Sequence, residues 1–170
     1  MDPTLPILGL ASVSAGAVVA SEQLEQRRCR ALEREARALG LSFVRLAEPD
    51  DIAEGLVVRP HDSTCIATQL ENVMQGTIGG RRVVVFNLRA YSAFGEGSSA
   101  MTFAAFQCSE GQRVSRQSQS SFEVESSGRW LLICRPGHVV GATTLRDFVE
   151  RSFEIASRLL EPDLPVALRG

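Results

Sequence analysis

The 170-residue chain contains no lysine; its 18 basic side chains are all arginine. That excludes chemistry requiring an amine, such as a Schiff-base lysine or the lysine of a phosphate-binding P-loop. One Tyr and one Trp leave little for base stacking. The net charge of -2, from 18 basic and 20 acidic side chains, gives no bulk attraction to a phosphate backbone, so nucleic acid is not an expected partner. The four cysteines, Cys29, Cys65, Cys108 and Cys134, form no CxxC pair, and only His61 stands near one of them. Structural zinc sites draw on close pairs, so no metal site is expected, and the thiols are expected free and reduced, which fits a cytoplasmic domain. Arginine in place of lysine also fits a GC-rich bacterial genome. No catalytic or cofactor-binding motif stands out, so none of these residues is assigned a catalytic, cofactor or metal role.

What the chain does have is an uncharged run from Pro3 to Ser21 followed by an arginine-rich segment. The sixteen residues Leu5 to Ala20 would reach about 24 Å as a helix, against a hydrocarbon core of about 30 Å. The leading reading is a membrane anchor over residues 1–21. A buried or interfacial helix and a cleaved signal sequence, with Ala15-Gly16-Ala17 as its cleavage site, are the alternatives. Arg27, Arg28, Arg30, Arg34 and Arg37 all follow the run and none precedes it, which predicts an outside N-terminus and a cytoplasmic domain on the inner membrane. These five are the candidate membrane-surface contacts, each worth about 1 kcal/mol near anionic headgroups. Against this, Glu22, Glu25, Glu33 and Glu35 nearly balance them, as on a solvated helix face.

Residues 22–40 read as a basic juxtamembrane helix closed by Gly40, its apolar stripe of Leu24, Ala31, Leu32, Ala38 and Leu39 broken by Arg28 and Glu35. It suits a stalk better than a core element. Residues 41–170 read as one domain. Leu41 to Leu46 alternates as a strand, and Pro49-Asp50-Asp51 opens a short helix through Ile52 and Ala53. Asn72 to Ile78, the turn Gly79-Gly80 and Arg81 to Tyr91 form a hairpin, with Val83, Val85 and Asn87 on one side and Val84, Phe86 and Leu88 on the other. Ala100 to Cys108 is a third strand, and Gln107 to Ser121 a polar loop. Phe122 to Glu125 and Arg129 to Cys134 make a second hairpin. From Leu145 an amphipathic helix runs to Pro162, with Thr144 and Asp147 resembling a capping box. The fold class expected is α+β: a mainly antiparallel sheet packed on one face by a C-terminal amphipathic helix and preceded by an N-terminal hydrophobic helix.

Three places invite a chemical reading. Gly76 to Arg82 (GTIGGRR) resembles a phosphate cradle, but its glycines stand between two strands rather than between a strand and a helix, so a turn is expected. His61, Asp62 and Cys65 offer a base and a nucleophile without a hydrolase elbow. Asp50 and Asp51 beside Pro49 read as a helix cap. His138 reads as a polar turn residue and Trp130 as part of the sheet.

The apolar N-terminus, the segment ARALGLSF (Ala36 to Phe43), Asn72-Val73 with Gly76-Thr77 and Gly80-Arg81 leading into Val83 to Phe86, and WLLICRPG (Trp130 to Gly137) before the last helix together resemble a group of uncharacterised bacterial single-pass membrane proteins. The resemblance implies a tethered α+β domain of unknown function and carries over no catalytic residues. The chain departs from that group in a shorter segment between the third strand and the second hairpin. The functional expectation is a membrane-anchored, non-enzymatic domain that binds or scaffolds protein, with membrane lipid and a membrane-protein partner. The alternatives are an accessory subunit of a larger membrane complex and a small soluble enzyme or ligand-binding domain.

Overall fold

The computed structural model describes residues 5–48, 52, 56, 65–92, 98–108, 114–119 and 121–160; of the side chains of 5–21, 65–67, 92 and 98 nothing is described. The elements are α1 (Leu5–Ala38), β1 (Ser42–Ala47), β2 (Cys65–Ile78), β3 (Arg81–Ser92), β4 (Ser98–Gln107), β5 (Gln117–Gln119), β6 (Phe122–Ser127), β7 (Trp130–Cys134) and α2 (Ala142–Leu160). The strands form one antiparallel sheet in the order β1-β2-β3-β4-β7-β6-β5. Two runs of neighbouring strands meet at β4 and β7, which leaves β1 and β5 as the edges.

The fold class is α+β as expected, with α2 on the sheet. The first hairpin turns at Gly79-Gly80, both left-handed at φ 55° and 79°, as a two-residue hairpin loop requires. A side chain at Gly79 would collide with the Phe153 ring, so packing as well as turn geometry demands glycine there. The glycine-rich, basic segment is therefore a turn. The alternation in β3 is also as expected: Val83 and Val85 enter one core, and Val84, Phe86 and Leu88 the other.

The two cores mark a departure from a sheet covered on one face. On the first face α1 lies over β1 and β2, α2 lies over β4 and β7, and the helices touch each other. They enclose Leu32, Ala36, Met74, Val85, Phe106, Leu131, Leu145 and Phe148 among others. The second face buries Val73, Phe86, Phe103, Trp130 and Leu132, with Ile52 and Leu56 packed on it. Ile52, from the segment expected to be a short helix, is 1 % exposed. Arg82 lies 5.8 Å from the Trp130 ring centre and donates from Nη2 to the Ile52 carbonyl over 3.5 Å. All five residues of β7 are buried, as in a strand packed on both sides rather than one half-exposed.

The expected stalk is partly core. Cys29, Leu32 and Ala36, at i, i+3 and i+7, are 8 %, 1 % and 0 % exposed, while Leu24, assigned to the apolar stripe, is 65 % exposed. Small Cys29 and Ala36 let the helix approach the sheet closely, a signal that bulk hydrophobicity misses. Gln107 to Ser121 is not wholly loop: Gln117–Gln119 pairs with Gln119↔Phe122 and Gln117↔Val124 as the edge strand. Thr144 does not cap α2, which begins at Ala142; its hydroxyl donates to the Gly141 carbonyl over 3.3 Å.

The membrane-spanning expectation is corrected. Among the described residues no helix is long and apolar enough to cross a membrane. There is no separate N-terminal hydrophobic helix among the described residues: α1 continues unbroken from Leu5 to Ala38. Its uncharged part runs from Leu5 to Ser21 and includes Gly, Ser and Ala among its apolar residues, short of the roughly 20 predominantly apolar residues that a bilayer core takes. The side chains of residues 1–21, on which the anchor expectation rests, lie outside the described residues.

Candidate functional site

Strand β2 is two residues longer than β3, and part of the difference is absorbed in mid-strand. Glu71 pairs with Asn87 and Met74 with Val85, so Asn72 and Val73 together face only Phe86. This is a β-bulge, a device that bends a strand and re-aims its side chains. Asn72 takes the left-handed conformation at φ 52° and is the one non-glycine residue with positive φ among those described. Asparagine tolerates that region better than other side chains, but the conformation still costs about 1 kcal/mol or more. Val73 goes to the second core, while Asn72, 3 % exposed, meets α1. The Cys29 thiol donates to its Oδ1 over 3.4 Å.

Above this bulge is a cleft of about 250 Å³ lined by Glu25 and Cys29 of α1, Arg45 and Leu46 of β1, Gln69, Glu71 and Asn72 of β2, and Arg89 of β3. Arg89 holds Glu71 in a two-pronged ion pair, Nε to Oε1 at 2.8 Å and Nη2 to Oε2 at 3.1 Å. The geometry fixes both side chains as one wall and keeps the Arg89 guanidinium protonated to higher pH than usual. Tyr91 donates to Gln69 Oε1 over 3.1 Å and extends that wall. Glu25 has Arg28 at 4.0 Å and the Cys29 sulfur at 3.8 Å. Arg45 is exposed and makes no ion pair among the described residues.

Cys29 is not an activated thiol. Burial raises its pKa from the usual 9.0 and the Glu25 carboxylate raises it further, against the lowering by Arg45 and Arg28. A reactive cysteine needs the opposite setting. Among the described residues no group of three His, Cys, Asp or Glu side chains is placed to hold a metal ion. The cleft is a polar recess in which Arg45 is a cation without an ion pair among the described residues.

The recess opens beside a free strand edge. β1 pairs on one side with β2, in register from Ser42↔Gln75 to Ala47↔Leu70, and among the described residues no strand pairs with its other side. Val44 and Leu46 of this edge are 45 % and 53 % exposed. Natural edge strands are usually short, charged or covered, because an open apolar edge invites another chain.

A second depression of about 310 Å³ lies where Arg135, His138 and Val140 approach Thr144, Asp147 and Arg151 of α2. Its Arg151 is closed on Asp147 at 2.9 Å, and its polar lining is exposed. No buried polar side chain faces it, so it ranks behind the bulge cleft.

The residues singled out in the sequence are placed as follows. Arg27, Arg30, Arg34 and Arg37 share an exposed stripe of α1 opposite Cys29, Leu32 and Ala36; Arg28 is half-buried. Arg37 is paired with Glu33 at 2.6 Å. The four exposed ones form the outer face of a packed helix. Asp50, Asp51, His61 and Asp62 lie outside the described residues, as does the side chain of Cys65. Cys29, Cys108 and Cys134 are free and buried. His138 is exposed in its turn, and Trp130 is 1 % exposed within the sheet. Sequence reasoning overlooked Glu25, Arg45, Gln69, Glu71, Asn72 and Arg89 as a group. The available signal was Glu71-Asn72 interrupting an otherwise alternating strand. No family model, curated protein or solved structure matches the chain.

Proposed function

We propose that the chain is a non-enzymatic protein-binding domain that takes an extended segment of a partner onto the free edge of β1. The observation that carries this reading is the pair Val44 and Leu46, both large, apolar and exposed on a strand whose outer edge is unpaired among the described residues. Strand addition uses the main-chain donors and acceptors of such an edge for affinity, and neighbouring pockets for selectivity. The bulge cleft, which Leu46 helps to line, supplies the pocket. The raised pKa of Cys29 speaks against nucleophilic chemistry there.

The test is hydrogen exchange on the whole chain with peptides selected from a randomised library. Outward-facing amides of β1 should slow when a selected peptide is added. Replacing both Val44→Lys and Leu46→Lys should abolish that protection while leaving the thermal transition in place. If selected peptides protect amides elsewhere, or none protects β1, the reading is wrong.

A further inference from the structure

The charges around the cleft narrow the chemistry of the partner. We infer that the segment added to β1 presents an acidic side chain to the bulge cleft, where Arg45 and the Asn72 amide receive it. This rests on the strand-addition reading above and goes further by naming the selectivity of the pocket.

The argument is one of unpaired groups. Of the four charged side chains lining the cleft, Glu71 and Arg89 satisfy each other through two hydrogen bonds. Glu25 is drawn toward Arg28 on its own helix, at 4.0 Å. Arg45 is left as a cation with no ion pair among the described residues, close enough to Cys29 to lower its pKa. Asn72 adds a second, independent observation. Its Oδ1 accepts from Cys29, and among the described residues Nδ2 has no protein partner while the residue lines the cleft. The group borders a recess in which a ligand oxygen can serve as its acceptor. Both groups want an oxygen acceptor, and a carboxylate satisfies the guanidinium and the amide together. Asn72, held at its left-handed φ, is itself part of the cleft lining. Glu25 lies across the same cleft and opposes an incoming carboxylate, so it serves as an internal control.

The source of the carboxylate is a side chain. Arg45 and Leu46 belong to the interior of β1 rather than its end, so an added strand passes them with side chains at alternate positions. The cleft holds the equivalent of about eight waters, room for one acidic side chain and residual solvent but small for a cofactor.

The probes are short peptides of alternating threonine and valine with a central Glu, Gln or Lys, acetylated and amidated so that the side chain carries the only charge. On the full chain at low salt the Glu peptide should bind about two- to fivefold more tightly than the Gln peptide, and the Lys peptide more weakly still. Arg45→Gln should erase the difference between Glu and Gln. Arg45→Glu should invert the order, and Glu25→Gln should strengthen the Glu peptide further. If all three peptides protect β1 equally, the acidic selectivity is refuted and strand addition stands. If none protects β1, both fail. An unchanged order in Arg45→Glu also overturns the assignment, because that side chain is exposed and its replacement leaves the core intact.

Discussion

Cys29 on α1 and Asn72 in the β2 bulge are joined by a buried hydrogen bond, thiol to side-chain carbonyl, at 3.4 Å. The bond ties the first helix to the one non-glycine residue with positive φ among those described. Helix placement and strand irregularity are therefore one structural fact.

Substitution at Asn72 should reveal the strain. Asn72→Val, β-branched at φ 52°, is expected to cost about 2–4 kcal/mol, whereas Asn72→Gly, which removes both strain and hydrogen bond, should cost about 1 kcal/mol or less. Urea unfolding of the two variants gives the ordering; equal costs would mean that the conformation is not a constraint.

Thr102 anchors the loop before α2. Its hydroxyl donates to Asn87 Oδ1 over 2.6 Å and accepts from the Val140 amide at 2.8 Å, all in buried surroundings. Thr102→Val keeps the shape and strands both partners, so it should destabilise by about 2–4 kcal/mol, with Thr102→Ser well below that. Chemical denaturation of the pair provides the comparison.

The Gly79 turn should tolerate no side chain. Gly79→Ala brings a methyl group against the Phe153 ring at a left-handed φ of 55° and is expected to cost about 1–3 kcal/mol. Combining it with Phe153→Leu should recover part of the loss, measured as a less-than-additive double-mutant cycle.

The thiols should be silent at neutral pH and costly at high pH. Burial, reinforced by Glu123 and Glu125, pushes Cys134 from its ordinary 9.0 to about 12, and Cys29 and Cys108 are also raised. Native protein at pH 8 should therefore react slowly with a thiol reagent at all three positions, and fully only after unfolding. The linkage follows from proton counting. Between pH 9 and about 12 the unfolded Cys134 has lost its proton while the folded one keeps it, so stability falls as pH rises through that window. Stability measured across it should decline less steeply in Cys134→Ala, relative to that variant's own value at pH 8.

Much of the architecture was legible from local pattern. The Gly79-Gly80 turn, the alternation of Val83 to Leu88, the second hairpin and the C-terminal helix each follow from rules acting over a few residues. The core packing of residues 22–40 was not legible for a physical reason. Cys29 and Ala36 are too small to signal a core helix, yet their size lets α1 sit close to β2. The edge strand Gln117–Gln119 was hidden because an edge needs only backbone partners, and its Gln/Ser composition has no alternation to read.

The sequence by itself determined the chemistry that is missing, the turn positions and the faces of β3, because amine chemistry, backbone permissiveness and period-two alternation are local properties. Tertiary structure decided the rest. Burial on both faces of the sheet depends on Ile52 and Leu56 reaching the far side. The cleft exists because a one-residue bulge at Asn72 turns a buried amide toward a helix more than forty residues earlier in the chain. Such a meeting leaves no periodic trace in the sequence, since it depends on where the packed elements bring distant residues together.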